Sequence, residues 1–96
     1  MDRPQATATV LVDDDRVRVT RFDFEPGAET GWHVHGHDYV VTTLTDCAFL
    51  LEEGEGQSRT ADVAAGGAYR RSAGVAHNVV NRGDRPMSFV EVELKD

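Results

Sequence analysis

Hydrophobic and polar positions along the chain alternate in short runs with a period of two and nowhere hold a helical period, so the pattern predicts strands separated by turns. Ala6 to Val12, rich in Thr and Val, runs into Asp13-Asp14-Asp15, the composition of a hairpin turn. Arg16 to Phe24 alternates as a strand with one solvated face, and Glu25-Pro26-Gly27-Ala28 then supplies a fixed φ followed by a residue able to take positive φ. A histidine-bearing segment continues through Val40, Val41 and Leu44. The almost continuous apolar run Cys47 to Glu53 turns at Gly54-Glu55-Gly56 into Gln57 to Val63. Shorter strands are expected at Ala68 to Ser72 and Val75 to Asn81, with a final one from Met87 to Leu94 in which one face is core and the other partly wet. About eight or nine strands of ordinary length are too many for one flat sheet and predict an all-β antiparallel sandwich or barrel.

Composition narrows the function more than the fold. Ninety-six residues suit one core and one domain. Seventeen acidic against ten basic residues give a formal charge of −7, which argues against a nucleic-acid partner. No apolar run is long enough for a secretory h-region or a membrane span, so a cytoplasmic protein without a membrane partner is expected. The single cysteine, Cys47, excludes an internal disulfide and any cysteine-based zinc cluster, and is most simply a small core residue. A metal would have to be held by imidazole, carboxylate or phenol.

Three of the four histidines lie between Gly31 and Tyr39, in Gly-Trp-His-Val-His-Gly-His-Asp-Tyr. On an extended segment side chains at i, i+2 and i+4 share a face, so His33, His35, His37 and Tyr39 are expected to project together while Asp38 points away. The fourth, His77, lies far along the chain, and a metal site results if the fold brings it opposite the row. Three neutral imidazoles would leave positions open for water, oxygen or substrate, as a catalytic site requires. Tyr39 is the alternation rule's choice for a further ligand, since metal contact can ionise a phenol of reference pKa near 10, and His37 competes for that place.

The spacing of these residues resembles the cupins, small antiparallel jelly-roll β-barrels. Gly27, five residues and His33-Val-His35 match the opening of the first cupin half-motif, and Gly66, Gly74, His77 and Asn81 match the second in register. Three positions depart: Tyr39 (or Val40) falls on the glutamate, Asp46 on the closing glycine of the first part, and Ser72 on the proline of the second. The resemblance implies a single cupin-like domain over residues 1–96, a double-stranded β-helix with His33, His35 and His77 as metal ligands. It implies a divalent transition metal (Fe, Ni, Mn, Cu or Zn) and a small-molecule ligand or substrate. It also implies a homodimer, for which Val34, Val40 and Leu44, opposite the histidines, offer either a contact surface or a tightly curved core.

With three histidines and no carboxylate at the motif position, the set looks more like three-histidine oxygenases, thiol and diketone dioxygenases among them, than like carboxylate-containing relatives. A dioxygenase, isomerase or lyase acting on a small organic molecule is the first functional expectation, with Tyr39 as general base in the lyase case. A non-catalytic cupin module holding a small ligand or a metal is the second. Phe22, Phe24, Phe49 and Phe89 are read as core and Asn81 as a structural amide. Tyr69 and Arg71, two apart, either reach into the barrel toward an anionic group or lie on the surface.

Overall fold

Nine strands account for the regular structure in residues 3–95, which the computed structural model describes. They are β1 (Thr7–Asp13), β2 (Val17–Phe24), β3 (His33–Val34), β4 (Asp38–Thr43), β5 (Cys47–Gly54), β6 (Gln57–Val63), β7 (Ala68–Arg71), β8 (Ala76–Asn81) and β9 (Met87–Leu94). Among the described residues no helix is long and apolar enough to cross a membrane. One sheet has the order β1-β2-β9-β4-β7 and the other β3-β8-β5-β6. All pairings between these strands are antiparallel.

The turns follow the chemistry of their residues. Asp14 accepts hydrogen bonds from the amides of Arg16 and Val17 at 2.8 and 2.9 Å and closes the first hairpin. At the Pro26-Gly27 turn Gly27 takes a φ of 81°, a conformation that costs a side chain about 1–2 kcal/mol, and its amide donates to the Asn81 carbonyl at 2.9 Å.

Between the sheets lies an aromatic core. Phe89 stacks on Phe24 with centroids 5.5 Å apart and meets Phe49 edge-on at 5.6 Å, and all three are buried. Each such ring contributes roughly 1.5–3 kcal/mol by leaving water. Asn81 is also buried, donating to the Arg85 carbonyl at 2.8 Å and accepting from the Gly83 amide at 3.0 Å, the structural part expected of it.

Residues directly opposite one another in a ladder share a face, so the registers lay rows across the inner surface of the five-stranded sheet. Thr20, Glu91, Val41 and Tyr69 form one row, and Arg18, Glu93, Tyr39 and Arg71 form the next. In β9 the core face is therefore Met87, Phe89 and Glu91. The outer surface carries a row of four valines, Val12, Val19, Val92 and Val40.

One expectation is corrected here. The histidine segment is two strands in different sheets, not one continuous strand: β3 ends at Val34 and β4 begins at Asp38. Residues 35–37 carry the chain across the barrel, so the alternation that would have put His33, His35, His37 and Tyr39 in one row is lost at Gly36. Val34 and Leu44 are exposed and Val40 is half-buried, all outside the barrel rather than in a curved core.

Candidate metal centre

The centre is built on a single rung. His33 of β3 and His77 of β8 are directly paired, so both rings project from one face of the smaller sheet. The approach to His33 is clipped to β8. Asn78 accepts from the Gly31 amide at 2.9 Å, and the Thr30 hydroxyl accepts from the Val79 amide at 3.1 Å. Asn78 is held in turn by Glu29 and Glu52, at 2.8 and 2.9 Å, and Arg3 bridges those two carboxylates. His35 is fixed through its backbone: its amide donates to Val75 at 2.8 Å and its carbonyl accepts from Gly74, also at 2.8 Å. Gly74 reaches that position with a φ of 96°, which explains the glycine at this place in the second half-motif.

The three rings converge on their Nε2 atoms. His33 to His35 and His35 to His77 are each 3.1 Å, and one ring nitrogen of each histidine lies within 4.8 Å of the others. The Nδ1 of His33 is 2.8 Å from the Gly31 carbonyl and serves as its donor, which leaves Nε2 as a lone pair. The Nε2 of His35 has one in-plane position, either proton or lone pair, and so cannot make hydrogen bonds to both neighbours while His33 offers only an acceptor. A shared cation removes that conflict. Nitrogens bound to one ion at about 2.1 Å stand roughly 3.0–3.4 Å apart, and the observed spacing falls there. The residues therefore fit a divalent ion.

Burial keeps these rings in the form a metal needs. Desolvation first, and the neighbouring His33 and Arg71 charges next, hold His35 down at about 4. Desolvation likewise brings His77 to about 3, helped by His33 and His35. Both are neutral imidazoles at physiological pH.

Two further groups touch the centre. Tyr39, only 1% exposed, lies stacked on His35 with ring centroids 3.9 Å apart, and among the described residues its hydroxyl has no hydrogen-bond partner. Burial pushes that phenol up to about 12. Glu91 brings a carboxylate oxygen to 3.9 Å from the Nε2 of His35, and burial, reinforced by Glu93, raises it to about 7. With the imidazole neutral, this contact is not an ion pair. A carboxylate thus stands beside the centre although the motif's own position holds Tyr39. Sequence reasoning missed Glu91, and its spacing of two from buried Phe89 and four from Met87 was the signal that marked it as inward.

His37 lies outside the converging group and lines the outer cavity of about 500 Å³ with His33, His35, Glu91 and Arg18. Asp38 faces away, accepting from the Ala73 amide and from Arg70. Another concavity, of about 510 Å³, lies at the other end of the strands around Cys47, Asn81 and Met87, and no histidine lines it.

Comparison with known proteins agrees with this architecture. The cupin domain family model matches residues 20–93. The beta-alanine degradation protein BauB of Pseudomonas aeruginosa is 57% identical over 93 residues, 97% of each chain. A cupin domain from Bordetella pertussis is 49% identical with a TM-score of 0.95, covering 100% of this chain and 99% of that one. The polyketide cyclase RemF of Streptomyces resistomycificus, 24% identical with a TM-score of 0.74 over 100% of this chain and 71% of its own, shares the fold. The jelly-roll of antiparallel strands, the two half-motifs on one rung and these matches together place the chain in the cupin family.

Proposed function

We propose that His33, His35 and His77 hold a divalent transition metal and that the barrel is a metal-dependent enzyme acting on a small organic molecule. The observation that carries this reading is the approach of the His35 Nε2 to 3.1 Å from the Nε2 of both His33 and His77, a geometry that neutral imidazoles do not satisfy among themselves. When bound, such a metal supplies Lewis acidity or an oxygen-binding position. The rest of the chemistry falls to the chain. Glu91, with its carboxyl near neutrality beside His35, is suited to take a proton from a bound molecule and return it. The base role fits Glu91 better than Tyr39, whose buried phenol keeps its proton and whose ring forms a wall stacked against His35. His37, half-buried, lines the cavity beside the centre rather than joining the three converging nitrogens.

The name of the Pseudomonas relative makes beta-alanine and other short acids the first compounds to assay. Elemental analysis of tag-free protein tests the metal: one equivalent in the parent and none in the H33A/H35A double variant is expected, and retention by the double variant at parental stoichiometry removes the assignment. Oxygen uptake by iron-loaded protein against short acids, thiols and diketones tests turnover. The alternative of a non-catalytic module takes over if every compound is silent while binding persists. We also propose a homodimer across the outer valine row, where a second copy would cover Val12, Val19, Val92 and Val40.

A further inference from the structure

The sheets order leaves β6 and β7 as edges, one from each sheet, and the inner faces of these two strands enclose a cavity of about 300 Å³ separate from the one around His33 and His35. Phe49, Leu51 and Val63 wall it with apolar surface, while Arg59, Tyr69, Arg70 and Arg71 supply its polar groups. Registers fix the direction of three of these. Arg59 is opposite Leu51, Tyr69 opposite Val41 and Arg71 opposite Tyr39, and those partners are all buried core residues.

Arginines pointing inward need a reason in a small acidic barrel. Arg59 has one: its Nε donates to both oxygens of Glu53 at 3.2 Å. Arg71 has none of that kind. Its side chain is three-quarters buried, it comes no nearer than 4.0 Å to Glu53, and among the described residues its guanidinium makes no hydrogen bond. The Tyr69 hydroxyl likewise makes none among those residues, while its ring packs edge-on against Phe49. Two donors therefore open into the cavity, and of the three arginines that line it Arg59 is paired with Glu53 and Arg70 with Asp38. A guanidinium fork beside a phenol is matched by a planar carboxylate, which takes two N–H donors and an O–H at once.

We infer that Arg71 and Tyr69 form a subsite for a short carboxylic acid in this cavity between β6 and β7, apart from the histidine centre. Arg71 is the ladder partner of Tyr39, and Tyr39 is stacked on His35, so the Tyr39 ring stands between the subsite and the histidine centre. The subsite does not depend on the enzymatic reading above and can be tested with and without the metal.

Binding of propionate, propionamide and inorganic phosphate to the full chain, as purified and after chelation, should be followed by chemical-shift titration. Propionate should bind at least tenfold more tightly than propionamide in both preparations, and phosphate more weakly than propionate. R71Q should abolish the preference, R71K should leave it intermediate, and Y69F should weaken propionate about 2- to 10-fold. Amide and acid binding alike, phosphate binding more tightly than propionate, or R71Q matching the parent while retaining its fold by circular dichroism would each overturn the subsite. Absence of bound metal in the parent, with the Arg71-dependent preference intact, would sink the enzymatic reading and leave the subsite standing.

Discussion

His33 and His77, forty-four positions apart in sequence, are ladder partners on one antiparallel rung, with ring centroids 4.8 Å apart. The distance between the two half-motifs is thereby reduced to one pair of strands, and the third imidazole joins through the loop that follows β3. Because each histidine contributes one nitrogen, removing either rung partner leaves two donors and an open face. H77A should weaken zinc or nickel binding by more than the roughly 10–100-fold that loss of an outer partner costs. Competition titration with a chromophoric chelator measures it, and an affinity equal to that of the parent would dissolve the centre.

Asn78 supports the same rung from outside. It accepts from the Gly31 amide and ties Glu29, Glu52 and Arg3 into the approach to His33. N78A should therefore lower metal affinity about 10–100-fold while H33, H35 and H77 remain in place. The same chelator competition applies, and N78D, which keeps the acceptor toward Gly31, should recover part of the loss.

Much of the fold was legible because its causes are local. Period-two alternation and turn chemistry predicted β1, β2, β5, β6, β8 and β9 nearly to their observed ends, as at Gly54-Glu55-Gly56. The centre was legible through the half-motifs, since Gly27 bonds to Asn81, Gly74 to His35, and His33 pairs with His77. What alternation could not foresee was the crossing at residues 35–37, because a change of sheet leaves no mark on side-chain periodicity. Glu91 escaped for a related reason: its place beside His35 depends on how β9 is inserted between β2 and β4, a long-range pairing.

The outer valine row gives a prediction about assembly. Val12, Val19, Val92 and Val40 lie side by side across four strands. A charge at the middle of that row would be desolvated in any isologous contact. V92K should shift the sedimentation profile from dimer to monomer with the strand content unchanged by circular dichroism. A parent that sediments as a monomer at every concentration would remove the dimer.

Acid should destabilise the metal-free protein before its surface carboxylates titrate. His35 and His77 stand at about 4 and 3 when folded and near 6.5 when unfolded, so between those values the unfolded chain binds protons that the folded one refuses. Their contribution is present above pH 6.5 and is lost as pH falls toward 4. Urea titrations of chelated protein should lose roughly 1–3 kcal/mol between pH 6.5 and 5. H77N should flatten that slope by about half. A parent curve that is level over this interval would show that the imidazoles are solvated.

Glu91 works in the opposite direction. Its folded value of about 7 lies above the unfolded 4.5, so its carboxyl is accommodated below pH 4.5 and destabilises the chain as pH rises through 7 and the buried charge forms. E91Q keeps the shape and removes the charge. In chelated protein it should be close to neutral at pH 5 and stabilising by roughly 1–3 kcal/mol at pH 8, a gain of about 4–8 °C in Tm per kcal/mol for a chain of this size. The same substitution removes the proton acceptor beside His35, so turnover of any substrate found should fall about 10²- to 10⁴-fold while metal content stays at the parental level. Stability gained with activity lost is the signature of a carboxylate held at the centre for its chemistry. An E91Q variant that is active, or destabilised at both pH values, would make Glu91 an ordinary packing residue.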